Sequence, residues 1–261
     1  MPTKIRKKQE AAEKSGAEKV NPYNSESKKG KQVEKMFDSI APAYDLMNTA
    51  MTFGLHRSWR DRALNAAIER AKTPLTVLDI ATGTGDVAFR LADLCQKARI
   101  IGIDLSRGML EIAKSRLFDL PYSIAGRINF EVGDSLAMTF GNGHFDLATV
   151  AYGVRNFENL RQGMAEIYRV LSPGGTLCIL ELSVPTNKVA KWGYNIYSRY
   201  IIPAIGRMVS GDKRAYSYLP ESIAAAPQRD DMGKILRECG FKDIVWKSLT
   251  FGTVTYYLAT K

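Results

Sequence analysis

Two glycines, a threonine and a set of acids carry the first chemical signal in this chain. Val77–Ile80 is a short apolar run that leads into Gly83, Thr84, Gly85 and Asp86, and a helical pattern follows. Ile100–Ile103 is a second apolar run, closed by Asp104 nineteen positions after Gly85. That is the spacing of a nucleotide-binding βαβ unit, in which glycines let the backbone approach a ligand and the acid accepts ribose hydroxyls. Gly83, Gly85 and Ala88 also satisfy the loose dinucleotide pattern, so the glycines do not choose the nucleotide. The acids discriminate. Asp79 and Asp86 bracket the loop with negative charge, which repels a pyrophosphate and suits a cationic ligand. S-adenosylmethionine is such a ligand, with a sulfonium, an ammonium and a ribose. Asp79 and Gly83–Gly85 are expected to bound its methionine half, and Asp104 its ribose. Asp134 and Ser135, after a third apolar run, fall where an adenine would lie, with Asp134 accepting the exocyclic amine.

These residues need a sheet to hold them. Strands are expected at 76–81, 100–105, 128–133, 145–152 and 176–183, with helices at 84–95, 106–117 and 157–171 between them. Ser106 is a suitable N-cap, and Pro173-Gly174-Gly175 ends the helix before the fifth strand. The alternation predicts an α/β fold with a doubly wound, mostly parallel sheet. Residues 241–249 and 253–260 are rich in β-branched and aromatic residues and joined by a short turn. A parallel crossover needs a dozen or more residues, so this pair must be antiparallel. A Rossmann-like parallel sheet with a terminal antiparallel hairpin is the plan of class I methyltransferases, not of dinucleotide oxidoreductases. Residues 32–40 and 55–71 read as helices. The apolar link between them, with Met47, Met51 and Phe53, reads as a cover over the nucleotide site, so residues 32–72 form a helical cap.

Length and composition bound the rest. The 261 residues suit one large domain with extensions. No apolar run reaches the length of a membrane span, and the first residues lack the apolar core of a signal peptide. Cys95, Cys178 and Cys239 form no paired motif, which fits a reducing cytoplasm and offers no zinc site. The net charge of +10 is uneven: residues 1–35 hold ten basic and five acidic side chains, residues 185–220 hold six and one. Residues 1–31 read as a basic, disordered tail preceding a single domain over 32–261. Residues 185–220 read as an aromatic-basic insertion. There Trp192, Tyr194, Tyr197, Tyr200, Tyr216 and Tyr218 join Ile196, Ile201, Ile202, Ile205, Met208 and Val209. Such a segment suits peripheral contact with an anionic membrane surface, and equally a subdomain packed on the sheet or a homo-oligomer interface.

Several segments together resemble the menaquinone/ubiquinone C-methyltransferases, the UbiE/MenG family. Tyr44–Asn48 with Met51–Trp59 is similar to one family signature, and Arg169–Gly175 with Glu181–Ser183 to a second. Gly153-Val154-Arg155-Asn156 is similar to a further family element after the fourth strand. The resemblance implies methyl transfer from S-adenosylmethionine to a ring carbon of a reduced polyprenyl quinone, without a metal. In the menaquinone branch the substrate is demethylmenaquinol, a prenylated naphthoquinol; in the ubiquinone branch it is a methoxylated benzoquinol. It carries Thr84, Asp104, Asp134 and Ser135 over as cofactor contacts. The cysteine pattern and the two basic segments predict a cytoplasmic protein peripherally associated with the inner membrane face.

For that reaction the quinol ring must be electron-rich and positioned in line with the methyl group. Three residues are candidates for the catalytic roles. His56, as a histidine, suits a base near neutral pH, and equally a residue that caps or packs the first long helix. Arg155 suits stabilisation of a developing phenolate, with an ion pair to a loop acid such as Glu158 as its structural alternative. Asp45 suits an anchor for the cofactor's ammonium or a base, and equally a cap of the adjacent segment. His144, in a Gly-Asn-Gly turn, reads as a surface residue. Two other classes are less well supported. A nucleic-acid methyltransferase fits the net charge but lacks a Pro-Pro-aromatic motif after strand four, so no nucleic-acid partner is expected. An NAD-dependent oxidoreductase is opposed by Asp79 and the terminal hairpin.

Overall fold

The computed structural model describes residues 16–23, 25–202, 204 and 213–261. Ile205, Arg207, Met208 and Val209 of the aromatic-basic segment lie outside these residues, as does the side chain of Tyr216. A single helical turn over Gly16–Lys19 is followed by α1 (Lys29–Ile40), α2 (Tyr44–Thr52) and α3 (Leu55–Ala71). Strands and helices then alternate as β1 (Thr76–Ile80), α4 (Asp86–Leu94), β2 (Arg99–Asp104), α5 (Arg107–Leu117), β3 (Ile128–Val132), β4 (Phe145–Ala151), α6 (Leu160–Val170) and β5 (Leu171–Leu182). Helices α7 (Lys188–Ile196), α8 (Lys213–Ala225) and α9 (Asp230–Glu238) lead to the hairpin of β6 (Lys242–Leu249) and β7 (Val254–Thr260).

The seven strands form one sheet in the order β3-β2-β1-β4-β5-β7-β6. The first five are parallel, and β7 pairs antiparallel with both β5 and β6. The expected fold class holds. Helices cover both faces, so the central strands read as continuous apolar runs, and Val77, Leu78 and Ile80 of β1 are all buried. Helix α6 shows how the cover is held. Leu160, Met164, Ile167 and Val170 recur along one face and are buried against the sheet. Each such side chain contributes about 1.5–3 kcal/mol when fully buried. The chain leaves β1 outward toward β3 and returns to β4 on the other side of β1. A crevice therefore opens at the carboxyl ends of β1 and β4, where ligands of such sheets bind.

Two boundaries differ from the sequence reading. Strand β5 starts at Leu171, not 176, and its ladder with β4 carries an irregularity between Phe145 and Leu147. Pro173-Gly174-Gly175 sits in that irregularity, with Gly174 at φ 79°. The N-terminal boundary also moves. Residues 16–23 and 25–31 belong to the packed structure rather than to a tail ending at 31. Ala17, Glu18, Lys29 and Gln32 are buried. Glu18 accepts the Leu160 backbone N–H at 2.7 Å and so caps α6. Lys29 donates to the carbonyls of Ala17 at 2.6 Å and Arg155 at 3.0 Å. The segment is held by polar groups meeting backbone orphans, and composition carries no trace of that.

The apolar link read as a cover is helix α2, which ends at Phe53 in the left-handed conformation. It lies between the crevice and the insertion, and Tyr197 of the insertion donates a hydrogen bond to the Met51 carbonyl.

Candidate functional site

The crevice is walled by the ends of β1, β2 and β4 and roofed by α1 and Tyr44. Gly83, Asp104, Asp134 and Ser135 all face it, together with Phe37, Tyr152 and Gly153. A Cβ on Gly83 would meet nothing within 4 Å, so its backbone faces open space at φ 57°. Asp104 ends β2 with its carboxylate oxygens held by the Gly83 and Ser106 backbone N–H groups, each at 2.9 Å. Burial pushes its carboxyl above the usual range against these two donors. Each oxygen keeps a further lone pair for a hydroxyl of a bound nucleoside. Asp134 accepts the Leu136 N–H at 2.8 Å, which fixes its orientation at the end of β3.

Asp79 does not face the crevice. Its side chain is only 1% exposed. It sits beneath the loop, accepting the hydroxyls of Thr82 at 2.6 Å and Thr149 at 2.7 Å. Burial pushes its carboxyl up to about 7. Its expected contact with the methionine half is therefore corrected: Asp79 shapes the loop from below, across the β1–β4 register of Asp79 with Thr149. Gly85 is also structural. A Cβ there would lie 2.7 Å from Phe89 and 2.8 Å from Phe130, and its φ is 87°. The second acid of the electrostatic argument is neutralised as well. Asp86 pairs with Arg60 at 3.1 Å and with Arg116 at 2.7 Å. The loop is thus not a bare negative bracket, and the repulsion of a pyrophosphate read from the sequence loses its source.

Thr84 and Asp45 occupy a narrow passage beside the crevice, with Asn48, His56, Arg60 and Asp86. Asp45 accepts the Thr84 hydroxyl at 2.7 Å and faces Arg116 at 3.4 Å. The passage opens toward a second, apolar cavity of about 300 Å³ between α1, α2, α3 and the insertion. Met36, Ile40, Met47, Met51, Ile202 and Ile223 contribute to its wall. Tyr44 and Tyr152 border crevice, passage and cavity alike.

Of the three residues read as catalytic, Arg155 and His56 line this cavity and Asp45 does not. Asp45 belongs to the passage, beside Thr84. His56 Nδ1 lies 2.8 Å from the Thr52 hydroxyl. Burial pulls its pKa below the usual range, with Asp86 opposing. Arg155 is buried, and its partner is Glu181 of β5, at 2.7 Å, rather than Glu158. Glu158 accepts the Gly30 N–H on the roof of the crevice. Burial pulls the Arg155 pKa down, but Glu181 outweighs it and holds the guanidinium above its usual range.

The aromatic segment divides. Tyr194, Tyr197, Ile202 and Tyr218 face the cavity. Val189, Trp192, Ile196, Tyr200 and Ile201 face outward. Glu181, Tyr152 and Arg116 had no assigned role at the sequence level. Glu181 follows Arg155 by 26 residues, and only the β4–β5 adjacency brings the two together.

The model of the ubiE/COQ5 methyltransferase family matches residues 24–261. A protein of Bacteroides fragilis named demethylmenaquinone methyltransferase is 42% identical over 94% of this chain and 98% of its own length. One of Dinoroseobacter shibae named ubiquinone/menaquinone biosynthesis C-methyltransferase UbiE is 36% identical over 90% of this chain and 93% of its own. Among solved structures, an S-adenosylmethionine-dependent methyltransferase from Thermotoga maritima superposes with a TM-score of 0.61. It is 15% identical and covers 87% of this chain and 99% of its own, a likeness of fold.

Proposed function

Since the chain belongs to the ubiE/COQ5 methyltransferase family, we propose that it methylates a ring carbon of demethylmenaquinol to give menaquinol. It is an S-adenosylmethionine-dependent C-methyltransferase. The observation that carries the substrate reading is the apolar cavity joined to the nucleoside crevice at Tyr44 and Tyr152, with the buried Arg155 cation on its wall. A flat apolar ring with hydroxyls suits that wall; a nucleic acid would need a cationic groove instead.

The residues fit the cofactor. Gly83 leaves its backbone open, Asp104 has lone pairs to spare, and Asp134 and Ser135 border the adenine end. Thr84 and Asp45 stand at the passage where a methionine half would lie. S-adenosylmethionine, when bound, supplies an electrophilic methyl group. The chain's own residues supply the rest. Arg155 lowers the energy of negative charge on the quinol oxygen, which makes the adjacent carbon nucleophilic. The apolar walls exclude water and strengthen that interaction. His56, held neutral by burial, can take the phenolic proton.

The test is an anaerobic assay with labelled cofactor and a short-chain demethylmenaquinol, its oxidised quinone and a methoxylated benzoquinol. Methylation of the naphthoquinol alone is the expected result. Equal rates on quinol and quinone would refute the electronic argument, and a preference for the benzoquinol would assign the ubiquinone branch.

The same reading supports peripheral contact with the cytoplasmic face of an anionic membrane, from which a prenyl tail would pass into the cavity. No helix among the described residues is long and apolar enough to cross a membrane. Phe53 borders the cavity and is 79% exposed at φ 50°; Phe251 is 85% exposed at φ 55°. Bulky residues held in that region signal a constraint. Trp192 is 68% exposed on α7, beside Lys188 and Lys191. Each cation near an anionic bilayer contributes on the order of 1 kcal/mol, screened by salt. Replacing Lys188, Lys191 and Arg199 with glutamine is expected to reduce sedimentation with anionic vesicles at low salt. Phe53→Ser with Trp192→Ser should remove the salt-resistant part. Unchanged vesicle binding in both variants would exclude this face.

A further inference from the structure

Five tyrosines border the apolar cavity: Tyr44, Tyr152, Tyr194, Tyr197 and Tyr218. Three have their hydroxyls engaged within the protein. Tyr44 bonds Asn48, Tyr197 donates to the Met51 carbonyl, and Tyr218 donates to Asn156 Oδ1 at 3.0 Å. The other two do not. Among the described residues, the hydroxyls of Tyr152 and Tyr194 and the Nε of Arg155 are shielded from solvent without a hydrogen-bond partner. All three belong to this one cavity. Folded proteins rarely leave shielded polar groups unmade, and those that remain call for a function. Arg155 donates a hydrogen bond to the Tyr152 carbonyl, and Tyr194 lines the same cavity.

We propose that these three groups grip the two para oxygens of the quinol head group, and that Tyr194 fixes its orientation. The inference rests on the quinol reading above and goes beyond it. Arg155 Nε is a donor only and needs an acceptor, which the oxygen beside the methylated carbon provides as it gains negative charge. Tyr152 lines the crevice as well as the cavity, which assigns its hydroxyl to that same oxygen once the bound ring opens the packing that shields it. Tyr194 borders the cavity alone, on the side of α7. Its hydroxyl therefore meets the far oxygen, beside the carbon that carries the prenyl chain. A head group held at both oxygens presents one ring carbon to the methyl donor, which makes Tyr194 a positioning residue for regiochemistry.

The test pairs a deleted side-chain hydroxyl with a deleted substrate hydroxyl. Tyr194→Phe and the wild-type full chain are assayed anaerobically on a short-chain demethylmenaquinol and on the corresponding 3-prenyl-1-naphthol, which lacks the far oxygen. On the quinol, Tyr194→Phe is expected to lower kcat/KM about tenfold, the loss of one hydrogen bond. On the naphthol it should match wild type, because the partner oxygen is already gone. Tyr152→Phe should be slower on both compounds. The thermal midpoint of Tyr194→Phe should be no lower than that of wild type, since the hydroxyl has no partner in the free protein, and its S-adenosylhomocysteine affinity should be unchanged. Wild-type rates for Tyr194→Phe on the quinol, or an equal loss on both compounds, would overturn the proposal while leaving the quinol reading intact. A wild-type chain that binds S-adenosylhomocysteine but methylates neither compound would overturn both.

Discussion

Replacing Arg155 with methionine is expected to lower kcat on demethylmenaquinol by about two to three orders of magnitude, the usual cost of removing a preorganised group that meets developing charge. The same change should destabilise the fold by about 3–5 kcal/mol, because it strands Glu181 as an unpaired buried charge. These two effects are separable. Glu181 accepts from the Arg155 backbone N–H at 3.3 Å and the Leu182 N–H at 2.9 Å, so it has structural work besides the ion pair. A double variant with methionine at both 155 and 181 removes the stranded charge and should recover part of the lost stability, the two backbone N–H groups left without an acceptor keeping the remainder. Its kcat should stay as low as that of the single variant, since the cation is still missing. Denaturant titration measures the first quantity and single-turnover rates the second. A double variant with near wild-type kcat would show that Arg155 serves the fold alone.

Asp104→Ala should weaken S-adenosylmethionine binding by about 1.5–3 kcal/mol, roughly ten- to a hundredfold in Kd. Two mechanisms contribute. The ribose hydroxyls lose their acceptor, and the Gly83 and Ser106 N–H groups lose theirs, which loosens the loop. A ligand comparison divides the two. Calorimetry with S-adenosylhomocysteine and with its 2′-deoxyribose analogue should show a large difference in wild type and a much smaller one in Asp104→Ala. An equal difference in both proteins would mean that Asp104 acts through the loop only. An unchanged Kd for S-adenosylhomocysteine would remove Asp104 from the site altogether.

The crevice was legible because its residues sit at strand ends. Once β1, β2 and β3 are placed by their apolar runs, Gly83, Asp104 and Asp134 must project from the carboxyl edge of the sheet. Asp79 shows where this reasoning stops. It lies on β1 only four positions before Gly83, yet it faces the core under the loop, with Thr149 of the next strand as its partner. Sequence spacing reports distance along the chain and not the face on which a side chain ends. Asp86 shows the same limit: its neutralising partners Arg60 and Arg116 come from α3 and α5.

The amino-acid sequence alone determined the parallel sheet with its final hairpin and the place of Gly83, Asp104, Asp134 and Ser135 at the crevice. Hydrophobic periodicity and loop length are short-range signals, and they are sufficient to order strands and to set the sense of a short turn. The tertiary structure alone decided the pairing of Arg155 with Glu181 and the burial of Glu18 and Lys29 against backbone groups distant in the chain. It also divided the aromatic segment into Tyr194, Tyr197 and Tyr218 around the cavity and Trp192 and Tyr200 outside it. Those outcomes depend on which elements become neighbours, because a buried polar group selects its partner by proximity in space and by the cost of leaving it unpaired. No local pattern in the chain records either quantity.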